Sequence, residues 1–355
     1  MRSFVAWLER VDPGTHRRIK GLRLVTAYGI AAALGALHDV TQRFGTSVSV
    51  GVLAASFALW ASVSEARHTR PESSRDLALL CAAATVGALV QALLSPSLFV
   101  LGRGAPEFVL LIGAFLASYL KRYGVTGAGV GSQFYIGQVF ALTMKIDASA
   151  WPAILVAGCI ASVACIVPRL LSGPAEKPAE LAALSPVGLP GRWNLSAPFI
   201  MGMQAAIASL VVVSLNAWFH MPESVWAVTA CVYVVAGSAI GTAARVRQRI
   251  IGTLIGVPLG LACLPLAEHA PLVIWTLAAV AMVIYAMALP ERYDIACAAF
   301  AFTLVVTLAA SGEHSVMFLS ARIWQTLLGG VLGLLAARLI LPLRAVEERA
   351  ASEGS

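Results

Sequence analysis

The sequence predicts an all-α integral membrane protein of about twelve transmembrane helices in two six-helix repeats, with both termini cytoplasmic. Three observations carry that prediction. The first is composition: 59% of the 355 residues are hydrophobic and only 12% are charged, with a mean hydropathy of +0.82. Such a chain cannot cover its apolar surface with its own polar groups, so membrane lipid must be its main solvent. The second is the series of apolar runs near the roughly 20 residues that a membrane-crossing helix needs. The third is the placement of cations. With both termini inside, 21 of the 25 Lys and Arg fall on inner segments, the bias that orients membrane proteins. The net charge of +7 therefore reports topology, and no nucleic-acid partner is expected.

Residues 1–21 carry Phe4, Trp7, Leu8 and Val11 at helical spacing among charges, the pattern of an amphipathic segment lying on the membrane. This segment has neither the short apolar core nor the cleavage site of a signal peptide, and is expected to be retained. Residues 22–168 form the first six-helix repeat, with spans near 22–38, 46–64, 77–95, 105–120, 125–143 and 150–168. Residues 169–196, rich in Pro, Gly and Ala, read as a cytoplasmic connector without a core of its own. Residues 197–341 form the second repeat, with spans near 197–218, 224–242, 249–267, 270–289, 292–310 and 316–341, and residues 342–355 are a cytoplasmic tail. Because six is even, the halves run in the same direction, and an axis along the membrane normal would relate them. Within the second repeat, residues 249–261 and 322–334 share eight of thirteen positions. They begin spans that run in opposite directions, which reads either as an inverted repeat or as a chance likeness of Leu- and Gly-rich helices.

Both strings are rich in glycine. Gly252, Gly256 and Gly260 recur every four residues, and Gly329 and Gly333 repeat the spacing. One helix face made of glycines lets a second helix approach closely. All six cysteines lie inside apolar runs without paired or metal-like spacing, and read as small buried packing residues. Neither a cofactor nor a metal is expected.

Polar groups in or near spans are costly and therefore informative. Arg249 opens the ninth span and Arg322 the twelfth, each four residues before a threonine, Thr253 and Thr326, so that cation and hydroxyl share a helix face. The pairs suit a carboxylate, with Gln325 beside the second. Arg249 can equally snorkel to lipid phosphates, whereas Arg322 stands at the outer end, against the charge bias, and needs an anion to offset it. Trp226 is either an interfacial anchor or a stacking surface for an aromatic ring. Asp294, Glu223 and His314 are the candidates for proton coupling; Asp294 can instead pair with Arg292, and the outer His and Glu residues can be ordinary loop polarity. The glycine-rich run 124–131 has no strand before it and opens an apolar span, so it does not read as a nucleotide loop. Without a Walker motif or a nucleophile elbow, an enzyme is not expected.

The pattern Pro222-x-x-x-Trp226-Ala227-x-x-Thr229, followed by Gly241-Thr242 and Arg245-x-x-Gln248-Arg249-x-x-Gly252-Thr253-x-x-Gly256, resembles the fusaric acid resistance (FUSC) family, which includes aromatic acid exporters. A more distant similarity is to plant aluminium-activated malate transporters. The resemblance implies a multi-pass protein of a bacterial inner membrane that exports aromatic or other organic carboxylates, driven by the proton gradient, in some members with a periplasmic adaptor protein. The sequence departs from the family's pattern in its short connector and in lacking a copy of the Gln-Arg-x-x-Gly-Thr string in the first half. A passive organic-anion channel of the same fold, or a membrane assembly protein without transport, remains the alternative.

Overall fold

A computed structural model describes residues 16–37, 40, 49–66, 69–102, 104–172, 196–221, 224–310 and 315–343. Most of the amphipathic segment, nearly all of the connector and the tail lie outside the described residues, as do Glu223 and His314.

The regular secondary structure of the described residues is helical, with no strand among them. In the first half these helices are α1 (His16–Gly35), α2 (Val50–Ser64), α3 (Arg70–Phe99), α4 (Leu110–Tyr119), α5 (Gly124–Thr143) and α6 (Trp151–Leu171). In the second they are α7 (Ala197–Phe219), α8 (Val225–Val234), α9 (Ala239–Ala262), the single turn and a half α10 (Leu264–His269), α11 (Pro271–Ala288), α12 (Tyr293–Ala310) and α13 (Val316–Leu339). Among the described residues, seven helical segments are long and apolar enough to cross a membrane, one of them 105–143. That segment doubles back at the 3-10 turn Leu120–Tyr123, where Gly124 takes φ +74, a conformation that glycine adopts without strain. Large apolar side chains on the outward faces, such as Leu93, Ile255 and Leu335, are exposed, as lipid contact requires.

The eighth expected span, 224–242, is not one helix. α8 stops at Val234 after ten residues, and Val235 turns to an extended conformation. Ser238, at φ −155 and ψ 161, then caps a new helix by accepting a hydrogen bond from the Gly241 amide. Ala236-Gly237-Ser238 provides what a break needs: little side-chain bulk, then a residue that competes for the helix N-terminus. The freed Ala236 amide donates to the Thr242 hydroxyl at 3.0 Å, so the break carries its own hydrogen bonds. The ninth helix therefore starts ten residues before the expected 249, and Arg245, Arg247 and Arg249 lie within α9.

The packing follows one plan in both halves. α1 packs on α2 and α6, α3 on α5 and α6, and α4 on α5; α7 packs on α8 and α13, α9 on α12 and α13, and α11 on α12. The most extensive contacts between the halves are α4 against α7 and α1 against α11. Glycine sets the closest approaches. A Cβ at Gly252 or Gly256 would collide with the carbonyl oxygens of Asp294 or Ala298 on α12, and one at Gly260 would lie 2.7 Å from the Val305 Cβ. On α13, a Cβ at Gly329 would strike the Ala227 carbonyl of α8, and one at Gly333 would lie 2.6 Å from Val234. Of the cysteines, Cys81, Cys165, Cys231 and Cys297 are buried. Cys159 is exposed on α6 and Cys263, in the turn between α9 and α10, is half-buried, so the expectation of six buried cysteines is corrected for these two.

Candidate functional site

The packing of α8, α12 and α13 brings together three of the expected site residues. Arg322 on α13 is 6% exposed, and its guanidinium carbon lies 3.8 Å from the centre of the Trp226 ring on α8. Phe300 on α12 flanks the same guanidinium at 5.5 Å. Gln325, one helical turn along, is fully buried. These residues, with Val305, Leu308, Phe318 and Leu319, line a pocket of about 10 Å³, room for about one water. Trp226 thus stacks on a buried cation, a contact that was not among the two roles expected of it. Thr326, expected to assist Arg322, is buried on the same helix at 5% exposure.

Arg249 forms a second station. Its guanidinium donates to the Tyr293 hydroxyl at 3.2 Å, and Tyr285, Cys297 and Tyr233 lie within electrostatic reach. Among the described residues no carboxylate forms an ion pair with it. Thr253, one turn along α9, is buried at 5% exposure, where α9 meets α12. The two stations share their walls. Phe300 beside Arg322 and Tyr293 beside Arg249 are seven residues apart on α12, a rise of about 10 Å. Between them, Trp60 from α2 meets Phe300 edge-on at 5.3 Å and Tyr285 at 6.0 Å. The chain therefore places two cations on one aromatic-lined column, with a wall residue from the first half.

Hydrogen bonds join the halves beside this column. The Thr229 hydroxyl donates to the Val225 carbonyl at 2.8 Å, which leaves its lone pair to accept from the Tyr135 hydroxyl at 2.9 Å. Ser132 and Tyr233 pair at 2.7 Å. No aromatic on α12 was among the expected site residues, nor was Trp60 or Tyr135. The signal was the seven-residue spacing of Trp226 and Tyr233 on α8, repeated by Tyr293 and Phe300 on α12.

One segment of the chain holds nearly all of these groups. Residues 207–336 match the fusaric acid resistance protein-like family. This fusaric acid resistance protein-like segment begins within α7 and ends near the close of α13, so it contains both arginines, Trp226 and the glycine contacts. No curated protein and no solved structure matches the chain.

Of the remaining expected residues, the structure describes Asp294. Asp294 forms a two-pronged ion pair with Arg292, at 3.1 and 3.0 Å. Outside the spans, Arg17 of α1 binds Glu291, and the guanidinium holds that carboxyl below the usual carboxylate range. At Asp147, a hydrogen bond from the Ser149 hydroxyl, together with the Ser149 amide, has the same effect. Glu223 and His314 lie outside the described residues. Among the described residues no group of three His, Cys, Asp or Glu converges to hold a metal.

Proposed function

We propose that this multi-pass membrane protein is a secondary transporter that exports organic carboxylates, aromatic ones foremost, across a bacterial inner membrane at the expense of the proton gradient. The buried Arg322 against Trp226 is the observation that carries the reading. A guanidinium buried inside a membrane protein is retained at high cost, and a planar cation over an aromatic ring suits the carboxylate and ring of one substrate. Arg249, about two helical turns further along the column, offers the next anion station, with Thr253 and Thr326 as hydroxyl donors beside the two cations. The parallel packing plans of the two halves support a twelve-helix arrangement in two related units, and the placement of Lys and Arg supports both termini being cytoplasmic. The pocket beside Arg322 is far below the roughly 300 Å³ of a small-molecule site, so substrate entry requires α8, α12 and α13 to part. That requirement favours alternating access over a standing channel. A periplasmic adaptor protein would continue the route outward.

Proteoliposomes of the purified chain, loaded with labelled 4-hydroxybenzoate, test the reading. Movement against the substrate gradient that requires a proton gradient and is lost in Arg322→Gln, with folding intact, is the expected result. Flux that only follows the substrate's own gradient would make the protein a channel, and normal coupled flux in Arg322→Gln would remove Arg322 from the site.

A further inference from the structure

Glu107 lies on the 3-10 turn Ala105–Val109, between α3 and α4, far in sequence from the column. Buried glutamines clamp this turn from both sides: Gln91 of α3 donates to the Pro106 carbonyl and Gln138 of α5 to the Val109 carbonyl, both at 2.9 Å. From the clamped turn, the Glu107 carboxylate reaches into the second half. Its Oε1 accepts from Asn216 Nδ2 near the end of α7 and from the hydroxyl of Ser224, which caps α8, both at 2.8 Å. Oε2 is buried. Two residues beyond Ser224 is Trp226, the ring under Arg322.

We infer that Glu107 is a proton-responsive latch, a positioning residue that holds the start of α8, and with it Trp226, closed over the Arg322 station while it is ionised and releases it on protonation. The inference rests on the transport reading for its purpose, though not for its test. An ionised carboxylate accepts hydrogen bonds of roughly twice the strength of neutral ones, and it sits at a helix N-terminus, where negative charge is favoured. A proton taken from the outer solution removes both advantages. The turn is clamped, so the freed partner is α8, which is ten residues long and ends in the break at Val235. The surroundings leave Glu107 as the acid that responds. The portions of α3, α4, α5 and α7 that pack around the turn contain no Asp, Glu, Lys or Arg among the described residues. The titratable groups next in line are Lys145, after α5, and His220, after α7; Arg103 and Glu223 lie outside the described residues.

A cysteine at Val225, which is 6% exposed, reports the latch. The full chain carrying Val225→Cys is reconstituted in vesicles and labelled from outside with a membrane-impermeant thiol reagent. Rates are normalised to Met317→Cys, an exposed site at 83% that corrects for thiol chemistry. Between about pH 7 and about pH 3.5, a range that includes the ordinary glutamate value of about 4.3, the normalised rate should rise about tenfold, the effect of losing a charge-assisted hydrogen bond. Adding Glu107→Gln should make it fast at both values, and Glu107→Asp should restore the rise. A flat rate with Glu107 present, or an undiminished rise in Glu107→Gln, overturns the latch. If labelling behaves as stated but the vesicles move no 4-hydroxybenzoate, the transport reading fails and the latch stands. If 4-hydroxybenzoate moves and labelling is flat, the latch alone fails.

Discussion

Replacing Trp226 by leucine and Arg322 by glutamine, singly and together, isolates the contact between guanidinium and indole. The two groups are 3.8 Å apart and Arg322 is almost wholly buried, so water screens the attraction weakly. A desolvated cation–π pair contributes about 2 kcal/mol, against at most about 1 at an exposed site. Since each 1.4 kcal/mol is tenfold, a coupling of about 2 kcal/mol is about 30-fold in an unfolding constant. Neither single variant measures it. Arg322 also faces Phe300, and removing one side of a buried polar contact adds the cost of what is left behind. The double-mutant cycle subtracts those shared losses. Reversible unfolding in mixed micelles, followed for the parent, both single variants and the double variant, provides the four free energies. Arg322→Lys should retain only part of the coupling, because an ammonium lacks the planar face that stacks on indole. A coupling below about 0.5 kcal/mol would refute the reasoning that burial strengthens this pair.

Two further outcomes follow from the packing and from the Arg17–Glu291 ion pair. Gly256→Leu should lower stability by about 1–3 kcal/mol or more, because even its Cβ would strike the Ala298 carbonyl; Gly29→Ala, whose added methyl meets nothing within 4 Å, should show no loss in the same unfolding assay. The Arg17–Glu291 pair holds Glu291 below its ordinary value, so its stabilising effect is complete above that ordinary value and disappears as pH falls through the lowered one. Hydrogen exchange in the first turn of α1 should therefore quicken on acidification below the carboxylate range in the parent chain, and Glu291→Gln should remove that step.

Much of the fold was legible because the bilayer enforces it. A lipid-facing helix must be apolar over its length and satisfy its own backbone, so hydropathy marks out segments such as Trp151–Leu171 and Ala197–Phe219 within a few residues. The glycine contacts were legible for a related reason: a four-residue spacing puts Gly252, Gly256 and Gly260 on one face whatever lies opposite. Hydropathy could not reveal the break after Val234, since Val235 and Ala236 are as apolar as a helix interior, and only the capping geometry of Ser238 shows where the chain turns.

The candidate site was half legible. Arg322, Trp226 and Gln325 stand out as polar or aromatic groups in costly places, and the fold brings them to one pocket. Their neighbours did not stand out: Phe300, Trp60 and Tyr135 are ordinary apolar-helix residues until α2, α5 and α12 close around them. For Asp294 the sequence left two roles open, proton coupling or pairing with Arg292, and the structure shows the pair. By itself the sequence determined the solvent, the helices and the glycine face, since these depend on local composition and on the period of a single helix. Only the tertiary structure decided which helices meet, and so placed Glu107 of one half against Ser224 of the other, because contacts between residues more than a hundred positions apart leave no trace in local pattern.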